Sequence, residues 1–245
     1  MLQRWRLKMI GIMKAAMDLT AVWYAVYAAV PALVDRMENW IKRPVRLKNA
    51  AEEKVLYLTF DDGPSEEYTP LLLDLLKENQ IQATFFVVAD FAEKNPEIVK
   101  RMKEDGHLIG VHSMSHKCAM AMLPKNTKKD AAGACEVVKS LGVNTSYFRP
   151  PWGLVNLTLK RFLKKSGLSE VLWDVMAGDW SGKTTAEAIE AKLRKRVKSG
   201  SVICLHDGRG KNEAPSRTIK ALSVMLPEWK AQNYSFLRID EMPAA

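Results

Sequence analysis

The chain has 245 residues, 47% of them apolar and 27% charged, with a formal net charge of +9. Those values describe an ordinary globular protein with ample core, room for one large α/β domain or two small ones. Three cysteines, Cys118, Cys135 and Cys204, occur without C-x-x-C spacing, so neither a disulfide framework nor a zinc finger is signalled.

Nine Lys/Arg and three Asp/Glu fall in residues 1–50. The basic excess therefore belongs mostly to the N-terminus, and no nucleic-acid footprint marks the rest. Uncharged, mainly apolar residues run from Leu19 to Val34, preceded by Arg4, Arg6, Lys8 and Lys14. Spanning a membrane takes about 20 apolar residues, roughly 17 at the least; snorkelling by Lys14 and local thinning make up the difference. Lys/Arg numbers on the two sides are similar and give no orientation. No small-x-small cleavage site follows. Residues 1–50 are thus read as a basic, hydrophobic segment that anchors the protein to a membrane through residues 19–34. The alternative is a helix packed on the domain that follows.

From residue 54 onward short β-rich runs alternate with helical segments. Strands are predicted at 55–61, 83–89, 107–113, 146–151, 169–175, 201–207 and 235–240. Between them, residues 66–79 carry Leu72, Leu73, Leu75 and Leu76 at helical spacing. Asn95-Pro96 opens a helix that Gly106 closes, and Thr184 with Glu187 forms a capping box for another. Such alternation predicts a parallel sheet with crossover helices, and seven repeats favour a closed or nearly closed barrel. Residues 51–245 are read as one domain.

In parallel β/α barrels chemistry gathers where strands end, and the polar clusters of this chain fall there. The first is Thr59-Phe60-Asp61-Asp62-Gly63-Pro64, directly after Val55-Leu56-Tyr57-Leu58. Adjacent carboxylates raise each other's pKa unless cations or donors compensate, and successive strand residues point to opposite faces. They share a site only if the strand ends there, as Gly63-Pro64 implies; alone, the run also reads as an acidic turn. His112-Ser-Met-Ser-His116 follows the third strand, and if helical, both imidazoles face one way and share a metal with Asp62. Either histidine also reads as a loop residue. Arg149-Pro-Pro-Trp152-Gly ends the fourth strand, Asp174 to Trp180 follow the fifth, and His206-Asp207 end the sixth. A hydrolytic site needs a base, an acid and an oxyanion stabiliser. The candidates are Asp61 as base, held ionised by metal and Arg149; His206 as acid, oriented by Asp179; and the Trp152 backbone N–H at the oxyanion. His107 is left over and read as structural. The competing readings are a surface ion pair for Arg149 and a loop anchored by a buried indole for Asp179-Trp180.

These motifs, T-F-D-D-G-P, H-S-x-x-H, R-P-P-W-G, D-x-x-x-x-D-W and C-L-H-D, with A-T-F-F-V at 83–87, resemble those of the NodB-homology polysaccharide deacetylases (carbohydrate esterase family 4) over about residues 54–242. The resemblance implies an incomplete, distorted (β/α)7 barrel with the N-terminal hydrophobic helix outside it. It implies removal of acetyl groups from N-acetylated sugars with a divalent metal, Zn²⁺ first and Co²⁺, Mn²⁺ or Ni²⁺ as alternatives. It makes Asp61 the base, Asp62, His112 and His116 the metal ligands, Arg149 the group orienting Asp61, Asp179 the tuner of His206, and His206 the acid. Trp152, Trp180, Cys204 and Leu205 would face substrate or oxyanion. Cys204 stands where the family usually has a pocket-lining Leu, which implies a slightly enlarged pocket; Met176 stands where it often has another Asp. Peptidoglycan is the favoured substrate class, with the catalytic domain outside the cytoplasm. The rivals are chito-oligosaccharide or xylan deacetylation, hydrolysis of a non-sugar amide or cyclic imide, an inactive glycan-binding module, and a soluble cytoplasmic location. No protein partner is implied.

Overall fold

The structure, a computed structural model, describes residues 2–49 and 53–243. Along the chain run α1 (Leu2–Tyr24), a π-helical turn (Ala25–Ala29), α2 (Val30–Asn49), β1 (Val55–Asp61), α3 (Thr69–Glu78), β2 (Thr84–Val87), α4 (Ala89–Lys94), α5 (Pro96–Glu104) and β3 (Leu108–Val111). Then follow α6 (Pro124–Ser140), β4 (Tyr147–Phe148), α7 (Leu157–Lys165), β5 (Ser169–Glu170), β6 (Val175–Met176), α8 (Ala186–Arg196), β7 (Ser201–His206), α9 (Ala214–Ala231) and β8 (Ser235–Phe236). The strands pair in parallel in the order β5-β4-β3-β2-β1-β7-β6, with β8 beside β1. This curled sheet with helices around it is the expected incomplete barrel.

The predicted strand at 169–175 is two strands on opposite edges of the sheet. Residues 171–174 cross between them: Val171 N–H donates to the Phe148 carbonyl on one side, and Asp174 N–H to the Val202 carbonyl on the other. This crossing is the seam of the barrel. The cap of α8 is Thr185, one residue later than predicted, its hydroxyl accepting from Ala188 N–H at 3.2 Å. Asn95 does precede Pro96 at the start of α5, but its amide donates back to the Phe91 carbonyl.

Two apolar layers result from strand alternation. Leu56, Leu58 and Phe60 of β1 join Ile203 and Leu205 of β7 in the large core beneath the helices. Tyr57, Phe86, Val171, Val202 and Ile239 form a separate cluster, on the opposite, interior face of the sheet. The β1–β7 register stacks further interior pairs above Tyr57↔Val202, namely Thr59↔Cys204 and Asp61↔His206. The interior therefore changes from apolar at the strand starts to polar at the strand ends. His107 lies below this, buried, its Nδ1 accepting from Ala83 N–H at 3.1 Å; burial lowers its pKa to about 4, so it is neutral and structural.

Residues 2–49 form one continuous helical rod. Within it the helix between Gln3 and Arg43 is long and apolar enough to cross a membrane. Tyr27, Ala28, Ala32 and Asp35 are nevertheless buried. Tyr27 Oη donates to the Met122 carbonyl, Lys160 joins Asp35 to Glu170, Asn39 donates to the Trp173 carbonyl, and Arg43 pairs with Asp174 at 3.5 Å. The lower half of the rod thus lies across the seam. The half before Tyr27 is exposed, with Trp5, Ile10, Met17, Leu19 and Val22 in the open.

Candidate active site

Asp61 ends β1 pointing inward, and Asp62 follows with φ of +73°. The left-handed region is uncommon outside glycine but tolerated by Asp. That turn, rather than strand alternation, lets adjacent carboxylates serve neighbouring positions.

Asp62 Oδ1 lies 2.9 Å from His116 Nε2 and 3.3 Å from His112 Nε2. His112 Nδ1 is 2.6 Å from the Arg149 carbonyl, which can only accept, so Nδ1 carries the proton and Nε2 presents a lone pair to Asp62. Burial favours neutral Asp62, but with the imidazoles protonated and no metal bound, hydrogen bonds from His112 and His116 and charge from His112 and His206 hold it well below the usual carboxylate range. The segment bearing the histidines is a loop and does not turn helical, with Ser113 at φ +64° and His116 at φ +55°. Ser113 Oγ accepts from His116 N–H at 2.9 Å, and the Asp130 carboxylate accepts from Met114 N–H at 3.2 Å. Local polar bonds therefore aim both rings where a helix would have used its periodicity.

The residues fit a divalent cation. The three ligand atoms lie within 4.8 Å of one another, and among the described residues Asp62 Oδ1 and His116 Nδ1 are buried without a hydrogen-bond partner. A lone pair facing a carboxylate is repulsive unless something positive lies between. Two imidazoles and one carboxylate with a side left open suit a catalytic metal.

Arg149 is fully buried and answers Asp61 from inside the barrel. Its Nη1 donates to Asp61 Oδ1 and to Thr59 Oγ1, both at 2.7 Å, and its Nε donates to the Val171 carbonyl of the seam at 3.1 Å. Its guanidinium also lies over the Phe86 ring, 4.1 Å from the centroid. The surface-pair reading of Arg149 is thereby replaced by an interior strut. Asp61 Oδ2 accepts from Cys204 Sγ at 3.3 Å.

His206, paired in register with Asp61, has its Nδ1 3.1 Å from Asp179 Oδ1. Asp179 Oδ2 accepts from the His206 backbone N–H at 2.8 Å and from Thr218 Oγ1 at 3.0 Å. Burial opposes charge on His206, but attraction and hydrogen bonding from Asp179 outweigh it and raise its pKa to about 9. Half-exposed indoles frame the two clusters. Trp152, at φ +58°, sets its ring edge-on to His116 with centroids 4.4 Å apart; Trp180 does the same to His206 at 5.5 Å.

Asp61, Asp62, His112, His116, Arg149, Asp179, His206, Trp152 and Trp180 thus converge. Leu205 does not: it is buried in the core beneath the helices, because it alternates with His206. Cys204 faces inward but is fully buried against Asp61, so it is a partner of that carboxylate and opens no space at the rim. Thr59, Ser113, Asp130 and Thr218 support the site without having been singled out. Thr59 sat inside the first motif; Thr218 lies in α9 with no local signal.

The polysaccharide deacetylase family model matches residues 48–171. A peptidoglycan-N-acetylglucosamine deacetylase of Bacillus cereus is 35% identical over 192 residues, covering 78% of this chain and 88% of the relative. A chitooligosaccharide deacetylase of Sinorhizobium fredii is 32% identical over 181 residues, 70% of this chain and 84% of the relative. Among solved structures, the peptidoglycan N-acetylglucosamine deacetylase Bc1960 superposes with a TM-score of 0.72 at 30% identity, over 77% of this chain and 87% of that one.

Proposed function

The chain belongs to the polysaccharide deacetylase family, the NodB-homology or family 4 carbohydrate esterases, and on that premise we propose that this deacetylase hydrolyses the acetamido group of N-acetylated sugars in peptidoglycan. The observation that carries the chemistry is the division of two adjacent carboxylates. Asp62 faces two imidazole nitrogens, while Asp61 faces Arg149.

Asp62, His112 and His116 would hold the metal of this metal-dependent family, with Zn²⁺ favoured by the donor set. When bound, it supplies Lewis acidity toward the acetyl carbonyl and makes water at the site easier to ionise. Asp61 takes the proton of the attacking water through Oδ2, its other oxygen being fixed by Arg149. His206, kept protonated by Asp179, gives a proton to the departing sugar amine. The Trp152 N–H donates to the developing oxyanion, and the two indoles offer flat faces to a sugar ring.

The B. cereus relative, a peptidoglycan-N-acetylglucosamine deacetylase, supports peptidoglycan over a free oligosaccharide. The exposed apolar half of the N-terminal helix supports attachment to a membrane with the barrel outside the cytoplasm. The test is acetate release by the metal-loaded protein on purified peptidoglycan beside N-acetylglucosamine oligomers. Release from peptidoglycan alone is expected. Release only from oligomers would move the substrate to chitooligosaccharides, and release from neither would overturn the reading. Fractionation of whole protein against protein lacking residues 1–50 tests the anchor; the same distribution for both would remove it.

A further inference from the structure

Beside the Asp62–His112–His116 cluster stands a second set of metal-ligating side chains that shares no residue with it. We propose that Asp61, Cys204 and His206 form a separate, inhibitory metal site that takes a thiophilic cation such as Cd²⁺ or excess Zn²⁺.

The site is built by strand register. Asp61 pairs with His206 and Thr59 with Cys204 across β1 and β7, so the carboxylate, the thiol and the imidazole all face the interior one residue pair apart. Their ligand atoms lie within 4.8 Å of one another. With metal–sulfur and metal–oxygen bonds of about 2.3 and 2.0 Å, two ligands of a tetrahedral ion sit roughly 3.5 Å apart. Cys204 Sγ and Asp61 Oδ2 are already 3.3 Å apart.

The surroundings leave the right atoms free. Arg149 occupies Asp61 Oδ1, and Oδ2 is the oxygen turned to Cys204. His206 Nδ1 donates to Asp179 Oδ1, which leaves Nε2 as ligand. A carboxylate holding the far nitrogen of a metal-binding imidazole is the usual supporting arrangement for such a ligand. Asp61, Asp62 and Asp179 balance the buried Arg149 guanidinium and a first dication, and the Cys204 thiolate adds the negative charge that a second dication meets.

Sulfur sets the preference. Thiolate with imidazole and carboxylate selects Zn²⁺ and Cd²⁺ over Mg²⁺ or Ca²⁺. On binding, the Cys204 S–H and His206 Nε2–H bonds break, both protons leave to solvent, and metal–sulfur and metal–nitrogen bonds take their place. While occupied, the site removes Asp61 and His206 from proton transfer. That inhibitory consequence rests on the roles given to them above, whereas binding itself does not.

The experiment uses the full chain, zinc-loaded, with Cys118→Ser and Cys135→Ser removing the other thiols, and titrates it with CdCl₂. A thiolate-to-cadmium charge-transfer band is expected to grow with a second equivalent of metal while acetate release falls in step. Cys204→Leu and Cys204→Ser, each measured against its own cadmium-free rate, are expected to lose the band and to need about 10-fold more cadmium or beyond for the same inhibition. No band from a folded protein overturns the site and leaves the catalytic assignments untouched. A band with undiminished turnover keeps the binding, overturns inhibition, and sinks Asp61 and His206 as base and acid.

Discussion

Arg149 Nη1 lies 2.7 Å from Asp61 Oδ1, with the guanidinium fully buried and the carboxylate nearly so. Removing one partner of a buried pair leaves the other uncompensated, at a cost of about 3–5 kcal/mol. Arg149→Met is therefore expected to lose stability of that order in denaturant unfolding, and turnover with it. Arg149→Lys keeps charge but not the three-way contact to Asp61, Thr59 and the Val171 carbonyl, and should recover stability only in part. A fully stable and active Arg149→Met protein would show that Asp61 needs no interior cation.

The Asp179–His206 pair has a pH signature. A histidine whose folded pKa is raised contributes stability that is fully present below its unfolded value and is lost as pH rises through the folded one. For His206 that window runs from about 6.5 to about 9. In metal-free protein the His206 ring is expected to titrate near the upper value by NMR, and Asp179→Asn should bring it down. An unchanged titration in Asp179→Asn would remove Asp179 as the cause.

Proton binding also bears on how the N-terminal rod sits on the seam. Glu170 is pushed up to about 7, first by burial and then by Asp35, with Lys160 opposing. For an acid raised in this way the folded state binds the extra proton, so the contribution is present below the ordinary value of 4.5 and lost as pH rises toward 7. Hydrogen-exchange protection in residues 27–43, corrected for the intrinsic pH dependence of amide exchange, is expected to be greater at pH 5 than at pH 8. Glu170→Gln should flatten that difference; a difference persisting in the variant would place the titrating group elsewhere.

How much of this was legible turns on where the polar residues stand. Asp61, His112, Arg149 and His206 stood out because each ends an apolar run, and strand ends are where a parallel barrel does chemistry. Period-two alternation, applied strictly, also separates Cys204 and Leu205: whichever faces His206's side excludes the other. The split of 169–175 was not legible, since strands of two residues exist only through their neighbours across the sheet. Nor was the loop at His112–His116, whose left-handed residues are set by Ser113 and Asp130 rather than by hydrophobic pattern. Thr218 reaches Asp179 from 39 residues away, a separation no local rule bridges. The rod's contact with the barrel stood only as the alternative to an anchor: Tyr27, Ala28 and Ala32 lie within the Leu19–Val34 stretch yet are buried.

Gly208 tests the backbone that holds Asp62. A Cβ added there would overlap the Asp62 carbonyl and the Gly63 backbone, and backbone cannot rotate away as a side chain does. Gly208→Ala is expected to displace Asp62 and weaken metal binding about 10-fold or more, read by competition with a chromogenic chelator. Unchanged affinity would mean that the turn after β1 tolerates movement without loss of ligand geometry.

The account stands most directly on the separate duties of Asp61 and Asp62. The measurement is metal content and acetate release of Asp61→Asn from one preparation, with metal by elemental analysis. Metal retained at the wild-type level with turnover abolished is the expected result, because Asp62, His112 and His116 are intact and only the proton acceptor is gone. Substantial turnover with metal retained, or loss of the metal together with activity, would contradict the division of these two carboxylates.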